Sequence, residues 1–161
     1  MSSYWLYPIR IFPKTAFLNP SFMNIRPYKD RSDRNQLIAL WQECGLVKPQ
    51  NDPDKDINRK LRVNPELLLV GVLQNKIIAS VMGGYEGHRG WINYLAVHPS
   101  QQRKGYGKLI MQAVEALIYA EGCAKINLQI RVGNETVAQF YRALGYCDDA
   151  VISLGKRLQQ D

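Results

Sequence analysis

Hydrophobic residues along this chain recur alternately at strand and at helix spacing. Asn24-Ile25-Arg26-Pro27-Tyr28 reads as a short first strand, which Pro27 confines to a sheet edge or a strand end. Leu37, Ile38, Leu40 and Trp41 then share one helical face, after start signals at Ser32 and Asp33 and before a stop at Gly45. A second helix is announced by Asp52-Pro53-Asp54-Lys55-Asp56. Asp52 can cap it, Pro53 suits a first position whose N–H needs no partner, and the carboxylates sit at the positive end of the dipole. Its buried stripe is thin: Ile57, Leu61 and the stem of Lys60.

Leu67–Leu73 and Ile77–Met82 are predicted strands joined by Gln74-Asn75-Lys76, a link short enough to force antiparallel pairing. Gly83–Gly90 connects the second of them to Trp91–Val97, again too briefly for a crossover, so three consecutive strands form a meander. From Gly107 onward Leu109, Ile110, Ala113, Val114, Leu117 and Ile118 recur at helical spacing, and Gly122 ends the run. Lys125–Val132 alternates as a strand. The helix before it implies a parallel, right-handed crossover to the Trp91 strand. Asn134 starts a last helix with a buried stripe of Val137, Phe140, Tyr141 and Leu144; Gly145 stops it, and Val151–Leu154 is expected to close the sheet as a strand.

A chain of 161 residues with 46% hydrophobic composition buries one sizeable core and is too short for two ordinary domains. Residues 1–22 are aromatic and broken by Pro8, Pro13 and Pro20. They are expected to be a loosely attached extension ahead of a domain running from Met23 to Asp161. The extension lacks an uninterrupted apolar stretch of signal-peptide or membrane-helix character, so the expected setting is cytoplasmic, with no membrane partner. The formal net charge is +7, or +5 once Arg10 and Lys14 of the extension are set aside. That surplus suits an anionic nucleotide-like ligand. No long Lys/Arg run and no interleaving of basic with aromatic residues is present, which argues against nucleic acid. Cys44, Cys123 and Cys147 are odd in number and widely spaced, which fits a reducing compartment, and each is expected to be a small packed residue ending an element. No metal is expected, since zinc would need four converging ligands that His88 and His98 cannot complete.

The chemistry concentrates where the strand Trp91–Val97 runs into Gln102-Arg103-Lys104-Gly105-Tyr106-Gly107 and then into a helix. A helix start presents successive N–H groups and the positive dipole end, a seat for pyrophosphate. Gly105 and Gly107 are expected to let a phosphate approach the backbone closely, with Arg103, Lys104 and Lys108 adding positive potential. Asn134 is an adequate helix cap whether or not it also meets a ligand.

These residues resemble the GCN5-related N-acetyltransferase (GNAT) superfamily, whose acetyl-CoA motif, Gln/Arg-x-x-Gly-x-Gly/Ala after a strand, stands here as Gln102–Gly107. The preceding Leu95-Ala96-Val97-His98-Pro99 and the later Asn134–Tyr146 resemble the family's second signature, and Asn51-Asp52-Pro53, Met82–Gly90 and Ser153–Leu158 are similar to small bacterial YpeA-type acetyltransferases. The resemblance implies a mixed α/β fold: a central, mainly antiparallel sheet flanked by helices, with a splayed parallel pair formed by the Trp91 and Lys125 strands. It implies acetyl-CoA as co-substrate, its pantetheine arm beside Leu95, Ala96 and Val97, its pyrophosphate on residues 102–108 including Tyr106, and a contact at Asn134. The implied reaction is direct attack on the thioester by a primary amine, with no covalent enzyme intermediate. The resemblance also implies that Tyr141 faces the sulfur, where a neutral phenol can protonate a departing thiolate of pKa near ~8.5.

The base is open. Gln129 stands where some family members carry a glutamate, which leaves Glu86, a water chain or His88 to take the proton of the acceptor amine. The acceptor itself is open too, and so is the choice between monomer and homodimer. The rival expectation is a catalytically silent acyl-CoA-binding regulatory module.

Overall fold

The computed structural model describes residues 22–158. Apart from Phe22, the extension expected at residues 1–22 lies outside the described residues. Strands β1 (Asn24–Pro27), β2 (Leu68–Leu73), β3 (Lys76–Tyr85), β4 (Gly90–Val97) and β5 (Ile126–Leu128) form one sheet in sequence order. The first four are antiparallel and β4 to β5 is parallel. Helices α1 (Asp30–Glu43) and α2 (Pro53–Lys60) cover one face, while α3 (Tyr106–Ala120) and α4 (Glu135–Ala143) pack on the other. This is the mixed fold that the sequence implied.

Both faces are sealed, but the α3 stripe departs from the expected one: Leu109 and Leu117 are 48% and 40% exposed, and Met111, not expected in it, is fully buried. On one side Leu37, Trp41 and Ile57 are fully buried against Leu68 and Val70; on the other Ile110, Met111, Val114 and Ile118 of α3 are fully buried against Leu67 and Val81. Asp52 accepts from the amides of Asp54 at 2.9 Å and Lys55 at 3.2 Å, so α2 starts where its sequence says. Helix α1 begins slightly earlier than expected, at Asp30. Asp33 reaches back to the Lys29 amide at 2.8 Å and also binds Arg26 at 2.6 Å, tying the helix start to β1.

Two expected strands change length and a third does not form. β3 runs on through Gly83, Gly84 and Tyr85, because Gly83 passes directly under α3: a Cβ there would lie 2.6 Å from Val114 Cγ2. The connection to β4 shrinks to Glu86–Arg89. β5 keeps only Ile126–Leu128 of the expected Lys125–Val132, since its pairing stops at Ile92 opposite Leu128. The strand expected over Val151–Leu154 does not form. Ala150 takes a left-handed φ of 53°, and Val151, Ile152 and Leu154 are 73%, 88% and 91% exposed. Side chains tether this segment instead: Asp149 binds Lys125 and Asn127, and Ser153 binds Gln129. Tethering by side chains does not create a backbone ladder.

β4 is bent at its middle. Ser80 pairs with Ala96 and Met82 with Asn93, so β4 carries an extra residue opposite Val81, and Tyr94 adopts φ 49° there. A left-handed non-glycine residue costs roughly 1–3 kcal/mol and persists only where neighbours hold it. Here Trp41 stacks on the Tyr94 ring at 4.1 Å, and the fully buried Ser80 hydroxyl donates to Tyr94 O at 3.1 Å while accepting from Trp41 Nε1 at 2.9 Å. These contacts fix the bulge and set up the site.

Candidate functional site: a forked sheet between two clefts

Beyond Ile92 the two parallel strands separate, so among the described residues β4 from Asn93 to Val97 has no strand partner on its β5 side. The amide of His98 donates to Ile78 O at 2.8 Å, and by strand alternation Leu95 and Val97 turn their backbone groups the other way, into the fork. The Val97 carbonyl is met there by Gln102 Nε2 at 3.1 Å and Cys44 Sγ at 3.4 Å. Leu95 and Val97 side chains pack on the α3 side, and Ala96, 3% exposed, packs on the α1 side.

The chain leaves β4 through His98, which binds Glu43 Oε2 at 2.6 Å, and a short turn at Pro99–Gln101. Arg103 (φ 63°) and Gly105 (φ 85°) both take left-handed conformations, which reverse the chain and point it into α3. Among the described residues nothing lies within 4 Å of a Cβ placed on Gly105; its requirement for glycine is conformational. The glycine at 107 has a different reason from the one expected. A Cβ there would meet the Phe140 ring at 3.2 Å and Val97 Cγ2 at 3.6 Å, so Gly107 lets α4 approach α3 and faces the protein. No side chain caps α3, and its first turn holds no acidic residue. Its leading amides, next to Tyr106 and the exposed Lys108, can therefore receive an anion. The side chain of Gln102 braces β4, and Lys104 binds Gln101 at 3.0 Å.

A cleft of about 1450 Å³ opens between β5, α4 and the segment after it, lined by Trp91, Asn93, Gln129, Asn134 and Tyr141 among others. Asn134 caps α4, accepting from the Val137 amide at 3.4 Å. Tyr141 is 7% exposed and gripped edge-on by Phe140 at 5.2 Å and Tyr146 at 5.5 Å. Tyr146 is itself fixed by a 2.8 Å bond to Glu115. Burial pushes the Tyr141 phenol up to about 12, so at neutral pH it carries its proton and is available as a proton donor.

On the other face, a pocket of about 500 Å³ is lined by Asn51, Asp56, Lys60, Met82, Asn93 and Tyr94, together with Arg59 and Val63. Asn93 lines both clefts, so the bend in β4 is where they meet. The Tyr94 hydroxyl donates to Asp56 Oδ2 at 2.6 Å and accepts from Asn51 Nδ2 at 3.2 Å. Asn93, Tyr94, Asp56 and Lys60 were not among the site residues read from the sequence. Only the bulge turns two consecutive β4 side chains toward one face, and no local pattern announces it.

Glu86 lines neither cleft. Fully exposed at the hairpin tip, its carboxylate accepts from the amides of His88 at 2.6 Å and Arg89 at 3.0 Å, which hold it below the usual carboxylate range. Cys123 is buried and Cys44 half-buried, but Cys147 is exposed and so does not fit the expectation of a packed residue. Among the described residues no group of three or more His, Cys, Asp or Glu side chains converges as a metal site, and no helix is long and apolar enough to cross a membrane.

Lys60 is 8% exposed and donates to Gly83 O at 2.5 Å; burial lowers its ammonium from the ordinary 10.5 to about 8, with Glu66 opposing the shift. Asp56 and Arg59 on α2 and Tyr94 on β4 line the same pocket. Below pH 8 Lys60 is charged in both folded and unfolded states and the burial penalty applies in full; between about 8 and 10.5 only the folded state loses its proton. Wild-type stability relative to Lys60→Met should therefore rise across that window and then level off. Urea denaturation of both proteins from pH 7 to 10.5 measures it, and a flat difference would contradict the burial argument.

The forked sheet has an uncapped helix start at one end, a buried phenol in its cleft and a second pocket that meets this cleft at Asn93. The chain belongs to the acetyltransferase (GNAT) family, whose sequence profile matches residues 34–146. It is 42% identical over 140 residues to an acetyltransferase of Sodalis glossinidius (strain morsitans), covering 86% of this chain and 98% of the relative. Among solved structures it is similar to an aminoglycoside acetyltransferase from an uncultured soil metagenomic sample, with TM-score 0.69 and 23% identity over 86% of this chain and 97% of that one. The NatC complex bound to Gag peptide and CoA is similar in fold, with TM-score 0.67 and 19% identity over 76% of this chain and 83% of the other. The protein is thus an acyltransferase that carries out acetyl transfer.

Proposed function

We propose that this protein transfers the acetyl group of acetyl-CoA to a primary amine by direct attack. The observation that carries the reading is the unpaired β4 edge from Asn93 to Val97, which leads from the uncapped start of α3 at one end to the pocket of Asp56, Lys60 and Tyr94 at the other. In this reading the diphosphate sits on the leading amides of α3, near Arg103, Lys104 and Lys108, and the pantetheine arm lies along Leu95–Val97, with Asn134 at the far wall. The presence of CoA in the similarly folded NatC complex supports the choice of donor.

In the transfer, the acceptor's ammonium first gives a proton to water; the neutral amine nitrogen then bonds to the acetyl carbon, the carbon–sulfur bond breaks, and the proton this nitrogen loses passes through water to the phenolate left once Tyr141 has protonated the thiolate. Tyr141 supplies the thiolate's proton, since a phenol raised by burial remains protonated until needed. Backbone N–H groups near Leu95 stabilise charge developing on the carbonyl oxygen, a contribution of about 2.7–4 kcal/mol where one such donor has been removed. Asp56, oriented by the Tyr94 hydroxyl, is the carboxylate that attracts the acceptor's ammonium group. Glu86, the carboxylate offered by the sequence, lines neither cleft and accepts from the amides of its own turn, which favours Asp56 for this role.

Release of CoA thiol in the presence of acetyl-CoA and a panel of amines tests the proposal. Amine-dependent release with a matching N-acetyl product by mass spectrometry is expected. Calorimetric CoA binding without release across amino acids, peptides and polyamines would instead make this a silent acyl-CoA-binding module.

A further inference from the structure

We infer that the amine acceptor carries a carboxylate, which pairs with the buried ammonium of Lys60, so that the substrate class is amino-acid-like and not polycationic. The inference rests on the acetyltransfer reading above and narrows it.

Lys60 presents three N–H donors, of which one reaches the neutral carbonyl of Gly83. Among the described residues no carboxylate lies within ion-pair distance of it, although Asp56 stands one helical turn away on α2. Asp56 binds the Tyr94 hydroxyl at 2.6 Å and Arg59 at 3.1 Å and makes no ion pair with Lys60. A cation nine-tenths buried with no ion-pair partner among the described residues is costly to the fold; the charge of Glu66 offsets only part of that cost, and the rest persists unless something anionic arrives to share it. The pocket that Lys60 lines opens to such a ligand.

The rest of the pocket sets the ligand's shape. The ammonium of Lys60, which lines the pocket without an ion-pair partner among the described residues, repels a polycationic amine. Val63 and Met82 supply an apolar wall for a side chain, and a volume of about 500 Å³ suits a molecule from amino-acid to small-peptide size. Asn93 marks the end that opens into the neighbouring cleft, where the acceptor's nitrogen must sit to reach a thioester. The carboxylate end then lies toward Lys60.

The test compares thiol release for amino acids and small peptides with that for their carboxamides, in the wild-type chain and in Lys60→Met. Dividing the carboxylate-to-carboxamide ratio of kcat/KM in the wild type by that in the variant cancels differences in amine pKa. The double ratio is expected to be about tenfold or more, carried by KM, as for a charged hydrogen bond removed from a buried site. A double ratio near one, or polyamines emerging as the preferred acceptors, would overturn the inference while leaving acetyltransfer intact. Absence of turnover with every amine would overturn both readings together. Should Lys60→Met not fold, butyrate and butyramide replace it as probes on the wild type: butyrate should compete with the acceptor, weakening above about pH 8 as Lys60 loses its charge, and butyramide should not. Equal inhibition by the two would overturn the assignment.

Discussion

Tyr141→Phe is expected to lower kcat by roughly a hundredfold or more while leaving CoA affinity unchanged. The ring makes the packing contacts, edge-on to Phe140 and Tyr146, and phenylalanine preserves them. The hydroxyl, by contrast, has no hydrogen-bond partner among the described residues, so removing it leaves no protein group unsatisfied and little change in stability is expected. A drop in kcat without a drop in melting temperature or calorimetric CoA binding would assign the lost activity to proton donation. Undiminished turnover would remove Tyr141 from that role. A pH profile adds a second check: a phenol raised to about 12 stays protonated through the working range, so the wild type should show no loss of activity between pH 8 and 10 attributable to this group.

The largest structural effect is expected at Trp41. Trp41→Ala should cost about 3–5 kcal/mol in urea denaturation, as for other large buried side chains. It should also weaken CoA binding, although Trp41 lies on the face of the sheet opposite α3. The indole supports the Tyr94 ring and donates to Ser80, and Ser80 in turn holds the Tyr94 carbonyl. Without that stack the left-handed Tyr94 loses its main support and β4 can straighten, closing the fork against β5. Trp41→Phe keeps a ring under Tyr94 and loses only the indole bond, so it should retain the fork at a cost near ~1 kcal/mol plus some lost packing. Trp41→Ala with wild-type CoA affinity at a concentration where it is folded would separate the bulge from the cofactor groove.

The glycines illustrate how a correct motif can rest on a different cause. Gln102–Gly107 is recognisable from sequence because a strand, a left-handed turn and a helix start each leave local marks. Gly105 answers to its φ of 85°, and no neighbour crowds it; Gly107 answers to Phe140, 33 positions later in the chain, and a Cβ there would push against α4. The lengths of β3 and β5 follow the same division. Gly83 and Gly84 look like a turn to any local reading, yet Val114 overhead requires the missing side chain at 83 and keeps the strand going. The alternating run after Lys125 looks like a full strand, yet the bend in β4 withdraws its partner after Leu128.

The chain's sequence alone determined where the four helices and the five strands of the sheet lie, though not a sixth strand it also suggested, the order in which they pair, and the glycine-bearing turn between β4 and α3. All of these follow from residue spacing, capping groups and link lengths, which act between near neighbours. Only the tertiary structure decided where the sheet forks, what Gly107 is for, that Glu86 is spent on its own hairpin, and that Asp56, Lys60, Asn93 and Tyr94 share a pocket. Those depend on a bulge held by Trp41 and Ser80 from distant parts of the chain, and a contact across some forty residues leaves no periodic trace in the segments it joins.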